Sequence, residues 1–226
     1  MGQDGIMIRW LAAFLRARFP LGFWLPIAGI LVLAAAPAGG EGGRFDPHII
    51  VRGFAACVVM LLLLRIIDDA LDRKRDAARF PDRPLADPAS LQPAMMWVGI
   101  LALALVPLVS RGVGIAMALL ACALVSIHGL KGFVTWSPLR GLLPQLKYPG
   151  IVLSLGIDGS LFSATLSGAA VVVVAIGAAC YECATDEELR SQSLRARAAG
   201  VTLLGAFAAL LLAGARWAFA RGAPTP

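Results

Sequence analysis

Long apolar runs alternate with short polar segments along most of the chain. Seven stretches are apolar enough to read as membrane-spanning helices, at approximately 20–38, 49–67, 93–110, 112–130, 142–158, 161–181 and 198–219. A helix needs about 20 mostly apolar residues to cross a bilayer. The fifth stretch is interrupted by Pro144, Lys147 and Pro149, a pattern that also fits a re-entrant or interfacial segment. Ahead of the first stretch, Arg9, Arg16 and Arg18 are interleaved with Trp10, Leu11, Phe14 and Leu15, as expected for a short helix lying on a membrane surface. The first stretch is read as a span rather than a cleaved leader, because it begins late and further spans follow it. The expected fold is therefore all-α: one transmembrane domain over 1–226, with an interfacial helix at 1–19 and a helical bundle at 20–220.

Composition agrees with this pattern. Hydrophobic residues make up 59% of the 226, and the mean hydropathy is +0.80; soluble chains lie nearer half apolar. The charged residues supply an orientation. With the N-terminus inside, 15 of the 20 Lys and Arg residues fall in inner segments, and only Arg44, Arg52, Arg111, Arg216 and Arg221 fall outside. Positive residues concentrate on the cytoplasmic side of membrane proteins. The expectation is a multi-pass cell-membrane protein, N-terminus in and C-terminus out. The net charge of +6 is then mostly a topology signal, and with no basic stripe carrying interleaved aromatics, nucleic acid is not an expected partner. Membrane lipid is; the oligomeric state is left open.

The four cysteines, Cys57, Cys122, Cys180 and Cys183, lie in or at the ends of spans. Cys180 and Cys183 form a single C-x-x-C with no second pair or nearby histidine, which reads as small apolar packing rather than a redox or metal pair. His128, alone at the end of the fourth stretch, reads as an interface residue.

The most informative polar segment is "RIIDDALDRKRDAARFPDRP", Arg65 to Pro84, directly after the uncharged run "FAACVVMLLLL". If the second helix continues past the membrane edge, Asp68, Asp72 and Asp76 fall at i, i+4 and i+8 with Asp69 beside them, all on one face. Arg65 and Arg79 extend this stripe at its ends. Like charges at that spacing repel. Carboxylates gathered on one face without His or Cys call for a hard cation, and Mg²⁺ is typically held by a few carboxylates together with substrate phosphates.

A second acidic segment, "YECATDEELR", places Glu182 and Asp186 at i, i+4, on the same side of the membrane as the first by the charge count. The alternative for this segment is a helix cap, with Thr185 at the N-cap and Glu188 at N3. Between the two acidic segments, Arg140 and Lys147 fall on that same side and are candidates, with Arg79 and Arg83, to grip diphosphate oxygens. Lys147 lies partway into an apolar stretch, where an ionisable residue is a functional candidate by default; the alternative is snorkelling to the surface.

With these residues in view, the chain resembles the UbiA superfamily of intramembrane prenyltransferases over about residues 5 to 220. That family's first motif is N-D-x-x-D-x-x-x-D followed by a P-x-R-P turn. Asp69, Asp72 and Asp76 match its aspartates, Asp68 stands in place of the Asn, and "FPDRPL" resembles the turn. The second motif, D-x-x-x-D after an aromatic residue, is similar to Tyr181, Glu182 and Asp186, with Glu for the first Asp and Arg190 where a further Asp often follows. Lys147 and Tyr148 look like the family's basic and tyrosine residues between the fourth and fifth helices. The family usually has nine helices, against the seven spans read here.

The resemblance implies an enzyme. Asp68, Asp69, Asp72, Asp76, Glu182 and Asp186 would hold Mg²⁺, and Arg79, Arg83, Arg140 and Lys147 the diphosphate. Asp69, Asp72, Lys147 and Tyr148 would be the catalytic set. A prenyl diphosphate would ionise at the cytoplasmic face and transfer its prenyl group to a lipophilic, aromatic acceptor. Two other readings stand beside this one. A UbiA-type terpene cyclase uses the same ionisation without an acceptor, and a non-catalytic membrane scaffold would explain the degenerate second motif.

Overall fold

The computed structural model describes residues 3–35, 47–130, 133–134, 136–155 and 165–222. The regular structure among these residues is all helical, with no strand among them. The helices are α1 (Gln3–Arg18), α2 (Leu21–Ala35), α3 (Pro47–Leu71), α4 (Arg73–Arg79), α5 (Leu91–Leu105), α6 (Arg111–Leu130), α7 (Ser137–Leu142), α8 (Lys147–Leu155), α9 (Thr165–Thr185), α10 (Glu187–Arg190) and α11 (Leu194–Gly222). The chain divides into two compact units, Met1–Val32 with Asp46–Ala121, and Leu33–Phe45 with Cys122–Pro226.

Among the described residues, two helices, over Ile50–Leu71 and Pro88–Leu105, are long and apolar enough to cross a membrane. The α1–α2 pair, bent by 75°, makes a third if it is one broken span. Shorter apolar helices run over Gly114–Ile127 and Ala169–Thr185. Only 17% of the Pro88–Leu105 segment is buried by protein, and Leu103 and Leu119 are 73% and 64% exposed. So much outward apolar surface is stable when lipid tails, not water, surround it.

The expected span over 142–158 is not a single helix. Pro144 opens a short 3-10 turn, Leu143–Leu146, between α7 and α8, and Pro149 follows inside α8. Proline lacks the N–H for a ladder bond, so the chain breaks where the α-helix cannot be completed. Residues 156–158 of that stretch, and the first four of the expected 161–181 span, lie outside the described residues.

In the first unit, α3 packs along α5 and α1 crosses α5, where the Trp97 indole donates to the Met7 carbonyl at 3.1 Å. Part of the apolar surface of α1 packs on protein and part stays open. Trp10 and Phe14 are buried and stacked, while Ile6, Ile8, Arg9 and Arg16 are exposed. The bend at Phe19–Pro20 is locked by Phe19, 1% exposed, stacked on Trp24 at 5.0 Å between centroids. The Pro20 carbonyl accepts the first N–H groups of α2, from Phe23 and Trp24.

In the second unit, α9 lies along α11, and α7 and α8 pack on this pair. Leu142, Leu146, Ala179, Cys183, Leu189 and Leu204 form the core. Gly200 lets α11 approach α7 closely; a Cβ there would lie 2.9 Å from Leu142 Cδ1 and 3.3 Å from Pro138 Cβ.

Candidate metal and diphosphate site

The aspartate stripe survives a break in the helix. α3 ends at Leu71 and α4 begins at Arg73, yet the i→i−4 bonds continue across Asp72. The Asp72 N–H donates to Asp68 at 3.0 Å, Asp76 to Asp72 at 2.9 Å, and Phe80 to Asp76 at 2.7 Å. The backbone ladder therefore continues from Asp68 to Phe80 across a bend at Asp72 (φ −85°, ψ 3°). Asp69 and Asp76 are buried, at 6% and 9% exposure, while Asp68 and Asp72 are half-buried.

Arginines meet these carboxylates. Arg18, the last residue of α1, donates through Nε to Asp69 Oδ2 at 2.6 Å and through Nη2 to Oδ1 at 2.7 Å, a two-pronged contact across 51 residues of sequence. Arg65, one turn before the stripe, places Nε 3.6 Å from Asp69 Oδ1 and Nη1 3.8 Å from Asp68 Oδ2. Arg83 donates through Nη1 to Asp76 Oδ2 and lies over the Phe80 ring, 3.8 Å from its centroid. The "FPDRP" turn makes that return possible. Arg83 N–H bonds to the Phe80 carbonyl and Ala86 N–H to the Arg83 carbonyl, while buried Leu85 tethers the loop. Asp87 closes it by accepting the Ala89 N–H at 2.9 Å.

Arg18 is a partner of the stripe that the sequence does not announce: its position places it on the surface helix, and only a shared inner side joins it to Asp69. No spacing rule links residues so far apart. Arg83, expected to hold diphosphate, is engaged by Asp76. Arg79 is exposed on α4 and Arg140 is half-buried on α7.

Lys147 does not snorkel. It is 5% exposed at the start of α8 beside buried Gln145, with its ammonium 5.4 Å from the centroid of the Tyr148 ring. A buried cation is costly unless compensated, and the positive end of a helix dipole is an unfavourable place for it.

The second acidic segment is built as a helix junction. Thr185 does not cap: its hydroxyl turns back to donate to the Tyr181 carbonyl at 2.9 Å, ending α9. Asp186 is the cap instead, its Oδ1 accepting the Leu189 N–H at 3.0 Å at the start of α10. The cap reading holds in kind, displaced by one residue. Glu182 is half-buried one turn earlier. Cys183 is buried in the core, while Cys180 is exposed. The C-x-x-C therefore packs one sulfur inward and turns the other out.

Four carboxylates without thiolate or imidazole match a hard cation in donor chemistry. Their arrangement does not yet match. Both Asp69 oxygens are taken by Arg18, one Asp76 oxygen by Arg83, and among the described residues no three His, Cys, Asp or Glu side chains converge as a ligand group.

Fold and site define an all-helical protein, with helices apolar enough to span a membrane and an arginine-lined aspartate cluster at the end of one of them. The chain has no match among protein-family models, curated proteins or solved structures.

Proposed function

We propose that the chain is a multi-pass cell-membrane protein of seven spans, N-terminus inside, that acts as an intramembrane prenyltransferase. In this reading it ionises a prenyl diphosphate and passes the prenyl group to a lipophilic acceptor. The observation that carries the reading is the run Asp68–Asp76, with four carboxylates in helical register and two of them buried, at the end of an apolar helix. Charge at such a position is expensive, and diphosphate chemistry is a use that repays it.

Asp68, Asp69, Asp72 and Asp76 would hold Mg²⁺, with Glu182 and Asp186 as a further acidic pair in the second unit. Bound Mg²⁺ would supply charge neutralisation to the departing diphosphate. Arg79 and Arg83 would bind diphosphate oxygens beside the stripe; Arg140 on α7 and Lys147 on α8 are the basic candidates of the second unit. Tyr148, against the Lys147 ammonium, holds that cation in place. The prenyl tail stays in the apolar phase, which keeps water from the allylic centre.

The test incubates purified protein with prenyl diphosphates of graded length, with and without aromatic acceptors, in Mg²⁺ or EDTA. Diphosphate release that requires Mg²⁺, together with an acceptor adduct, is the expected result. Release giving alcohol or hydrocarbon without acceptor identifies a cyclase.

A second reading, a non-catalytic membrane scaffold, is favoured by one observation: the aspartates already have internal partners in Arg18, Arg83 and the Leu189 N–H. No diphosphate release from any substrate is its expected result.

A further inference from the structure

The fold sorts the charges at the polar end of α3. From Arg65 to Arg83 the chain carries six Lys or Arg and five Asp, an almost neutral segment. Asp69 and Asp76 are buried against Arg18 and Arg83, and Arg65 lies beside Asp68 and Asp69. Lys74 and Arg75 are exposed on α4, whose own acidic residue is the buried Asp76. The exposed Asp82 and Asp87 sit on the loop beyond α4, where Asp87 accepts the Ala89 N–H. A segment balanced in sequence thus gives α4 a basic outer surface. α1 is divided in the same way. Arg18 meets Asp69, while Arg9 and Arg16 are exposed and Trp10 and Phe14 are buried. The two exposed arginines are about 10 Å apart along the helix, with the small, exposed Ala12 and Ala13 between them. Asp4, in the first turn, is the acidic residue of this helix.

The geometry of the first unit brings these two surfaces to one level. α2 carries no charge and exposes Leu21, Phe23, Leu25 and Ile30, so it belongs in an apolar phase. The 75° bend then lays α1 close to the membrane plane. The Arg18–Asp69 pair fixes the end of α1 where α3 turns polar and α4 begins. Exposed apolar side chains accompany the cations, Ile6 and Ile8 beside Arg9, Leu71 and Phe80 at the two ends of α4. Apolar groups that reach the acyl boundary beside cations at headgroup level make an interfacial surface. Clustered Lys and Arg next to an apolar helix attract anionic lipid.

We propose that Arg9 and Arg16 on α1, with Lys74 and Arg75 on α4, form a docking surface for the headgroups of anionic phospholipids in the surrounding bilayer. Guanidinium and ammonium groups meet the lipid phosphodiester through charge-assisted hydrogen bonds. Arg18, Arg65 and Arg83 act from within, by neutralising carboxylates that would repel the same lipids. The proposal rests on the membrane reading above and is independent of the transferase chemistry.

The experiment places the full chain in nanodiscs of phosphatidylcholine mixed with phosphatidylglycerol. Native mass spectrometry in graded ammonium acetate then gives the relative affinity for the two lipids. Wild type is compared with Arg9→Gln plus Arg16→Gln, with Lys74→Gln plus Arg75→Gln, and with Arg9→Lys plus Arg16→Lys. The charge control is Arg52→Gln plus Arg111→Gln, two exposed arginines remote from α4, near the start of α3 and at the start of α6. Thermal melts in phosphatidylcholine nanodiscs follow the folding of each variant. Wild type is expected to prefer phosphatidylglycerol, with a preference that falls as salt rises. Each Gln pair on α1 or α4 is expected to lower that preference by about fivefold per charge removed. The Lys pair and the Arg52/Arg111 control are expected to keep it. Equal affinity for the two lipids in wild type overturns the proposal. So does a loss in the control as large as in the α1 and α4 variants, or a preference that survives both Gln pairs combined. Entry into nanodiscs without any lipid preference sinks the docking surface alone. A chain that stays folded in water and does not enter nanodiscs sinks the membrane reading and this proposal with it.

Discussion

Asp186 caps α10 by accepting the backbone N–H of Leu189 at 3.0 Å, and Leu189 is in turn buried in the core of the second unit. The residue expected to bind metal thus already has structural work. Asp186→Ala is expected to cost about 0.5–2 kcal/mol. Asp186→Asn, which keeps an accepting oxygen, should cost little. Thr185→Ala, whose hydroxyl only turns back on α9, should stay within about 0.5 kcal/mol. Thermal melts of the three variants check this. An Asp186→Asn protein of normal stability that loses Mg²⁺-dependent diphosphate release would instead make Asp186 a metal ligand.

Asp72 offers the cleaner catalytic test, because it is half-buried between α3 and α4 and its removal leaves Asp69 and Asp76 with their arginines. Under the transferase reading, Asp72→Ala lowers turnover by about 10²-fold or more, the loss typical of a principal electrostatic contact. EDTA should do the same to wild type. Activity unchanged in EDTA removes the metal argument.

Arg83 and Asp76 should couple measurably. Removing one partner of a fully buried pair costs about 3–5 kcal/mol. Here Arg83 keeps 26% side-chain exposure, so Arg83→Ala is expected to cost about 1–3 kcal/mol through the stranded Asp76 carboxylate. In a double-mutant cycle, Asp76→Asn should recover part of that loss. Strict additivity of the two changes would show that the pair contributes nothing.

Gly200 predicts a packing defect. Its Cβ would meet Leu142 and Pro138 between α11 and α7, so Gly200→Ala should destabilise by about 1–3 kcal/mol despite the better helix propensity of alanine. Gly177, on α9 with nothing within 4 Å of a built Cβ, is the control. Gly177→Ala should be neutral or stabilising by up to about 1 kcal/mol. Melts of both variants decide it.

The proposed topology rests on the distribution of Arg and Lys. In a background without native cysteines, Glu41→Cys and Arg221→Cys are expected to label from outside, and Ala78→Cys and Gln192→Cys only from inside. Labelling of positions 78 and 221 from the same side removes the seven-span arrangement.

The sequence by itself determined what depends on neighbours along the chain. A run such as "FAACVVMLLLL" must become an apolar helix, because nothing else hides its backbone from lipid. The four-residue spacing of Asp68, Asp72 and Asp76 already matched the backbone ladder that links them, since the helical period is local. Pro144 and Pro149 already marked the fifth stretch as interrupted. Tertiary structure decided what depends on distant partners. That Arg18 forks onto Asp69 across 51 residues follows from α1 crossing α5 beside α3, which no spacing encodes. That Lys147 is buried rather than snorkelling, and that Trp10 and Phe14 face protein, were likewise set by packing. The cap fell to Asp186 rather than Thr185 because α9 runs on to Thr185, so the next helix starts one residue later than the motif suggests. Local periodicity is written in every few residues; the choice of ion-pair partner is made only when helices meet.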